Sequence, residues 1–121
     1  MKRGRKVIVI VAAVLVVLVV LGGLSYKGFS ILKERADREG CILNIQHIQQ
    51  AMRAYHGIHK MNVGDPLEAE AVFDRFFKHT PRCNAGGTYT YINRVPKEGE
   101  LFCTCSHAET KGHVPEDYEG W

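Results

Sequence analysis

The stretch Val7-Ile-Val-Ile-Val-Ala-Ala-Val-Leu-Val-Val-Leu-Val-Val-Leu-Gly-Gly-Leu24 decides the architecture of this chain, because it contains no charged, amide or hydroxyl side chain. At a rise of about 1.5 Å per residue, a helix of this length spans roughly 27 Å, which is close to the thickness of the hydrocarbon layer of a bilayer. The stretch therefore predicts one transmembrane helix at residues 7–24.

The charges on either side of this stretch predict its orientation. Residues 1–6 form a basic flank with four Lys or Arg side chains, whereas residues 25–40 mix basic and acidic side chains. Because basic flanks stay in the cytoplasm, we expect a single-pass protein of the inner (cytoplasmic) membrane with a cytoplasmic N-terminus and a periplasmic or extracytoplasmic C-terminal domain. A cleaved signal peptide is the alternative, but the apolar run is longer than usual and Gly22-Gly23-Leu24-Ser25 is a poor cleavage site.

The composition beyond the apolar stretch is that of one small globular domain. The formal net charge is +3, and the basic flank contributes +4 of it, so the remainder of the chain carries about −1. A chain that binds DNA or RNA needs a basic surface, which this remainder does not provide. We therefore expect the lipid bilayer as a partner and no nucleic acid.

A helical periodicity follows the apolar stretch. Apolar residues recur at spacings of four and three along one helix face at Cys41, Ile45, Ile48, Met52 and Tyr55. This stripe predicts an amphipathic helix that buries one face, reached from the membrane through a stalk helix. The last four members of the stripe are the predicted interaction face for other subunits.

The next segments predict a second helix and a hairpin. Asp65-Pro66-Leu67-Glu68 is typical of a helix start capped by the Asp65 side chain, and the helix should run to about Lys78. Residues 88–93 are rich in β-branched and aromatic side chains, residues 96–99 form a turn, and residues 100–105 can return as the antiparallel partner, which predicts a hairpin.

These elements predict an α+β fold that begins with a transmembrane helix. The helix continues into a long amphipathic helix, and a second short helix and a small antiparallel sheet follow. The predicted segments are a basic flank at 1–6, the membrane helix at 7–24, the stalk at 25–40, the α+β domain at 41–107 and a loop-like tail at 108–121.

Several motifs in residues 41–114 resemble those of small prepilin-like proteins. They are Cys41-Ile-Leu-Asn44, Gly64-Asp65-Pro66, Pro81-Arg-Cys83-Asn-Ala-Gly86-Gly87-Thr88-Tyr89-Thr90, Cys105-Ser106 and Gly112-His113-Val114. The chain is thus similar to type IV pilins and the pseudopilins of type II secretion. The resemblance implies a pilin-like fold and a structural or assembly role. This role is exerted through contacts with other envelope, secretion or pilus subunits, among which a homo-oligomer is included.

The chain departs from that family in its processing motif. The family has a short basic leader, then Gly-Phe-Thr-Leu-x-Glu, then the apolar helix, whereas here the basic flank runs directly into Val7. Lys27-Gly28-Phe29-Ser30 imitates the motif but follows the apolar run. In addition, Asn84 replaces the usual Pro and Cys103 is an extra thiol.

Four cysteines lie beyond the membrane helix, where thiols commonly oxidise, so disulfides are expected. Direct closure between Cys103 and Cys105 is unfavourable, since alternate strand residues are about 6–7 Å apart with nearly parallel side chains. The resemblance implies a Cys83–Cys105 bridge, and Cys41 with Cys103 is a weaker second pair.

A metal site is the alternative interpretation of these thiols. Cys103, Cys105 and His107 alternate, so a straight strand would present all three on one face, and Cys83 could complete a tetrahedral zinc set. A small extracytoplasmic domain that binds a metal or another ligand is therefore the rival function. The disulfide interpretation predicts no metal and no cofactor.

Motifs of known catalytic sites are absent from the sequence. There is no Gly-x-Ser-x-Gly, no phosphate-binding loop and no His-Glu-x-x-His. We therefore predict no catalytic residues and a protein that is not an enzyme.

Overall fold

The computed structural model describes residues 2–121 and has an α+β fold, as predicted. Its three helices and its two antiparallel strands have the following bounds: α1 Lys2–Ile58, α2 Ala69–Phe76, β1 Tyr89–Tyr91, β2 Cys103–Cys105 and α3 Ala108–Lys111. Contacts within the chain divide it into two compact units, Met1–Arg35 and Ala36–Trp121.

The first unit is a helical segment whose apolar side chains are exposed. The large apolar residues between Val7 and Leu24 are 52% to 74% exposed. By length and composition this part of α1 is able to cross a membrane, which agrees with the predicted span. An all-round apolar surface without a protein core against it is what a helix in lipid requires.

The second unit has its core along α1. Cys41, Ile45, Ile48 and Met52 are at most 1% exposed, and Tyr55 is partly buried against the same core. The predicted burial of the stripe is confirmed. These side chains pack in the interior of the domain, with Tyr55 only partly buried. The use of Ile45, Ile48, Met52 and Tyr55 as an interaction face for other subunits stays a prediction.

Aromatic and β-branched residues from the other elements cover this stripe. Val72 and Phe73 of α2 are buried, as are Val95 and Phe102 of the hairpin. The Phe73 ring packs edge-on against Tyr91 with ring centroids 5.3 Å apart. Side chains from α1, α2 and the sheet therefore form one shared core.

Polar side chains of α1 also face the domain. Gln49 is 2% exposed, although its place outside the apolar stripe suggested a different face. Its Nε2 donates to the Glu100 carbonyl at 2.9 Å, and its Oε1 accepts from the Phe102 N–H at 2.9 Å. Arg53 donates to the carbonyls of Pro96 and Trp121. These bonds satisfy loop backbone that has no strand partner there.

The second helix begins later than predicted. Asp65 does not cap it, because the Asp65 carboxylate accepts from the Asn62 N–H at 2.6 Å, and Pro66 forms an isolated antiparallel bridge with Arg94. Residues 65–67 are thus extended, and α2 starts at Ala69 without a side-chain cap.

The two strands pair as predicted but are shorter. Tyr89 lies opposite Cys105, and Tyr91 lies opposite Cys103. Residues 108–121, predicted as loop-like, contain the short helix α3, which is followed by Gly112 in the left-handed conformation with φ of 67°. This turn leads directly into the buried His113.

Candidate metal centre

Three thiols and one imidazole meet inside the second unit. Each of Cys41, Cys83, Cys105 and His113 offers one ligand atom, and these four atoms lie within 4.8 Å of one another. All four residues are buried, with exposures between 0% and 7%. A hydrogen-bond contact within the group joins Cys83 Sγ and His113 Nδ1 at 3.5 Å.

Each member of this Cys3His cluster (Cys41, Cys83, Cys105 and His113) comes from a different part of the fold. Cys41 lies on α1, Cys83 in the loop before β1, Cys105 at the end of β2, and His113 just after α3. The backbone N–H of His113 donates to the His107 carbonyl at 3.2 Å, which closes the α3 turn. The cluster is therefore assembled by tertiary packing and not by one local motif.

The loop that carries Cys83 approaches the sulfurs very closely. The Gly86 N–H donates to the Cys83 carbonyl at 3.1 Å, and Gly86 has a φ of 79°, which favours glycine. A Cβ on Gly87 would lie 2.9 Å from Cys105 Sγ and 3.1 Å from Cys83 Sγ. The backbone at Gly87 thus forms one wall of the cluster.

A short chain of hydrogen bonds supports Cys41. The Tyr89 hydroxyl donates to Cys41 Sγ at 3.4 Å, and Asn44 Nδ2 donates to the Tyr89 oxygen at 3.3 Å. Asn44 Nδ2 also donates to the Arg82 carbonyl at 2.9 Å. Asn44, one turn after Cys41 on α1, therefore fixes both Tyr89 and the loop that leads to Cys83.

The surroundings treat the three thiols unequally. Burial raises the pKa of Cys41 to about 12, and the neighbouring Cys105 and Cys83 act in the same direction. Burial opposes ionisation of Cys83 too, but the backbone N–H groups of Ala85 and Gly87 face its sulfur and bring its pKa below the usual value. Cys83 therefore ionises more readily than Cys41.

The surroundings of the imidazole in the cluster favour its neutral form. Burial lowers the pKa of His113, and the nearby His107, Lys111 and Arg38 side chains lower it further. A neutral imidazole has a free ring nitrogen lone pair, which is the form that binds metal ions.

The observed cluster contains three of the predicted site residues: Cys83 and Cys105, which belong to both predicted sites, and Cys41 from the weaker disulfide pair. Cys83 and Cys105 are brought together, as both the disulfide and the metal hypotheses required. No disulfide joins any of the residues 2–121, and all four cysteines are free. The disulfide pairings thus remain predictions.

Cys103 and His107, the other two predicted metal ligands, lie outside the group. Cys103 is buried on the same face as Cys105 but lies two residues earlier on β2, about 6–7 Å along the strand. His107 follows the end of β2, and its ring packs edge-on against the His113 ring with centroids 5.4 Å apart, so it lies beside the group and not in it. The straight strand that was predicted to carry Cys103, Cys105 and His107 on one face therefore ends after Cys105.

Sequence reasoning missed His113 as a partner of the thiols, and it assigned Cys41 to Cys103. One signal was present, since all four cluster residues lie in the motifs Cys41-x-x-Asn44, Cys83-x-x-Gly86-Gly87, Cys105-Ser106 and Gly112-His113. Each of these segments pairs a possible ligand with a residue suited to a turn or to hydrogen bonding.

Comparisons with known proteins identify no relative. No family model matches the chain, and no curated protein and no solved structure shows significant similarity to it.

Proposed function

We propose that this chain is a membrane-anchored subunit of pilin or pseudopilin type that acts through protein–protein contacts in a secretion or pilus-like envelope system. The observation that carries the proposal is the composition of α1. Its residues 7–24 are apolar and exposed, and its residues 41–52 form the core helix of a small α+β domain with a C-terminal hairpin. The motifs in residues 41–114 that resemble prepilin-like proteins support the same assignment.

The proposed orientation places the domain outside the cytoplasm. The four basic residues of the flank at 1–6 favour a cytoplasmic N-terminus. The domain at 36–121 would then lie at the outer face of the inner membrane, where it is available to other envelope proteins.

A second surface of α1 is also available for contacts with other subunits, since the stripe packs in the core of the domain. Beyond the membrane stretch, α1 exposes Tyr26, Phe29, Ile31 and Leu32, which are 55% to 76% exposed. Contiguous exposed apolar side chains on one segment mark membrane or protein contacts. We assign subunit contacts, including those of a homo-oligomer, to this exposed part of α1.

The subunit is proposed to remain static in the membrane. The first acidic residue of the chain is Glu34, so the apolar stretch offers no carboxylate to pair with the N-terminus of a neighbouring subunit. An unpaired terminal charge inside an apolar filament core would be costly. The chain therefore fits an anchored component better than a subunit that is extracted into a filament.

Topology is the first test. Alkaline phosphatase fused behind Trp121 is expected to be active, because the enzyme needs an oxidising compartment, and a fluorescent protein that folds only in the cytosol should be dark at the same position. Replacing the four basic residues of the flank by Gln is the matched control, and it should reduce phosphatase activity. A cytosolic reporter would overturn the proposal.

Partners are the second test. Mild cross-linking of intact membranes, followed by purification and mass spectrometry, should recover other pilin-like subunits or inner-membrane components of a secretion system. A cross-linking group that does not rely on cysteine chemistry is placed at Phe29 in one experiment and at the exposed Gln50 in another. The proteins captured from the two positions are then compared. Cross-links to soluble cytosolic proteins alone would contradict an assembly role in the envelope.

A further inference from the structure

We propose that Cys41, Cys83, Cys105 and His113 bind one zinc ion, and that this ion is structural. The set is three sulfurs and one ring nitrogen, which is one of the usual sets of structural zinc sites. No open position is left for a substrate, because the protein supplies all four ligands. The proposal rests on this cluster and is independent of the assembly role.

The separations within the cluster suit a tetrahedral ion. With Zn–S of about 2.3 Å and Zn–N of about 2.0 Å, a tetrahedral centre places sulfur and nitrogen about 3.6 Å apart. Cys83 Sγ and His113 Nδ1 are 3.5 Å apart. The same geometry needs sulfur atoms about 3.8 Å apart. Because all ligand atoms lie within 4.8 Å of one another, each sulfur–sulfur distance would shorten by at most about 1 Å on binding.

A single disulfide explains the cluster less well. Three thiols meet here. A Cys83–Cys105 bridge would leave the Cys41 thiol buried and reduced, and it would leave the His113 imidazole with nothing to bind. The exposures of 0% for Cys41 and 2% for His113 show that both are directed into the interior. A divalent ion uses all four groups at once.

Hydrogen-bond donors surround the sulfurs, as expected for thiolates. The Tyr89 hydroxyl donates to Cys41 Sγ, and the N–H groups of Ala85 and Gly87 face Cys83 Sγ. Outer partners of this kind orient metal ligands and raise metal affinity. The guanidinium of Arg38 donates to the Gly112 carbonyl at 2.9 Å, so a positive charge lies next to a centre whose net charge would be −1.

The backbone at Gly87 lies so close to the sulfurs that there is no space for a side chain. An alanine at this position would place its Cβ 2.8 Å from the His107 ring, 2.9 Å from Cys105 Sγ and 3.1 Å from Cys83 Sγ. The loop can come this near only without a side chain. It brings backbone N–H groups to the metal ligands, which a bulkier residue would prevent.

The position of the cluster explains what the ion would do. It would connect α1, the loop before β1, the end of β2 and the segment after α3 in one domain of modest size. Small domains commonly need such a link, because their cores supply little stability. Binding energy at a structural zinc site contributes directly to folding.

The test uses the full chain in detergent, purified without chelator, with zinc measured by inductively coupled plasma mass spectrometry. We expect about one zinc ion per chain. Cys41→Ser, Cys83→Ser and Cys105→Ser should each lower zinc affinity by more than about 100-fold, since loss of an outer partner alone costs about 10–100-fold. The matched control is Cys103→Ser, which removes a buried thiol outside the cluster.

Two measurements separate ligand loss from misfolding. His113→Ala should weaken binding, whereas His113→Cys supplies a fourth thiolate and should retain it. After replacement of zinc by Co²⁺, the wild type and His113→Cys should show the visible bands of a tetrahedral thiolate centre. Tyr89→Phe should keep these bands and lower zinc affinity by roughly 10-fold.

Three outcomes would overturn the zinc proposal. The first is a purified chain without zinc whose reduced form also takes up neither Zn²⁺ nor Co²⁺. The second is a mass about 2 Da lower before reduction with linked Cys83 and Cys105 peptides, which would establish the disulfide instead. The third is zinc that Cys103→Ser removes as completely as Cys83→Ser does.

Discussion

Residues 7–24 and residues 41–53 belong to the same helix, α1, yet they are apolar in different ways. The first segment is apolar on every face and exposed throughout. The second has one buried apolar stripe and polar residues between its members, of which Gln49 is buried and Arg53 reaches three backbone carbonyls. The first segment is therefore suited to hydrocarbon on all sides, whereas the second is suited to a protein core on one face.

The physical reason is the supply of hydrogen-bond partners. In the hydrocarbon of a bilayer there is no water and no loop backbone to satisfy an amide side chain, so polar residues are excluded. In the domain, the connection between β1 and β2 offers free N–H and carbonyl groups, and Gln49 satisfies two of them. A helix face can therefore be both buried and polar where protein covers it.

Charging the first segment should have the largest effect. The pair Val14→Asp and Leu18→Asp places two carboxylates on one face near the middle of the apolar stretch. Each costs about 2.5–3.5 kcal/mol for insertion, so together they offset most of the favourable transfer. Alkaline carbonate extraction should move a large part of the chain from the membrane pellet to the supernatant.

The control for this experiment is Val14→Ala with Leu18→Ala, which should stay in the pellet. If the two aspartates left the chain fully in the membrane fraction, residues 7–24 would not lie in hydrocarbon, and the contrast between the two segments would lose its basis.

Truncating the second segment should act on the domain and not on the anchor. Ile48→Ala removes a side chain that is 0% exposed, and the lost burial and the cavity cost about 2–5 kcal/mol. The thermal midpoint of the domain, followed by near-ultraviolet circular dichroism in detergent, should fall by about 10 °C or more.

Leu43→Ala provides the comparison, because Leu43 is 51% exposed on the same helix. Its effect should stay within about 0.5 kcal/mol. Equal losses from Ile48→Ala and Leu43→Ala would mean that the stripe does not form the core, while both variants should remain in the membrane pellet.

The elements that could be predicted from the sequence are those encoded in local periodicity. The apolar run, the stripe from Cys41 to Tyr55 and the alternating strands each show their pattern within a few turns or residues, so the α+β order followed directly. The start of α2 did not follow, because Pro66 pairs with Arg94 and this nonlocal bridge competes with the local capping signal.

The candidate site could be predicted only in part, for a related reason. Cys83 and Cys105 were paired by resemblance, but no local rule joins Cys41 on α1 with His113 beyond α3. The β2 strand ends before His107, and the α3 turn then returns the chain toward the sulfurs. Such contacts depend on tertiary packing, which spacing alone does not encode.

Removing the buried amide should have an intermediate effect. Gln49→Leu keeps the size of the side chain but leaves the Phe102 N–H and the Glu100 carbonyl without their partner. Each unsatisfied buried group costs about 1–3 kcal/mol. Urea denaturation should show the loss, and hydrogen exchange at Phe102 should become faster.

Gln50→Leu is the matched control, since Gln50 is exposed one residue further along α1. It should change the free energy of unfolding by less than about 0.5 kcal/mol. A stable Gln49→Leu domain would indicate that a purely apolar face serves here as well as in residues 7–24, which would contradict the role assigned to loop backbone.

The smallest effect concerns a charged pair, a feature that residues 7–24 lack altogether. Arg94 donates two hydrogen bonds to the Glu100 carboxylate and thereby holds the pKa of Glu100 below its usual 4.5. A lowered folded-state pKa stabilises the domain above the unfolded-state value, and this contribution is lost as the pH falls through the folded-state value. Wild type should therefore exceed Glu100→Gln in urea midpoint at neutral pH, and the difference should shrink and disappear as acid protonates the Glu100 carboxylate of the folded domain.

Because both proteins contain the same thiol cluster, its own response to acid cancels in this difference. Arg94→Gln removes the other partner and should reproduce the Glu100→Gln result at neutral pH, with little dependence on pH. Both partners are partly exposed, at 44% for Arg94 and 24% for Glu100, so solvent screens the pair and the shift should be small. A difference between wild type and Glu100→Gln that persists unchanged in acid would show that the side chain stabilises the hairpin connection through its packing rather than its charge.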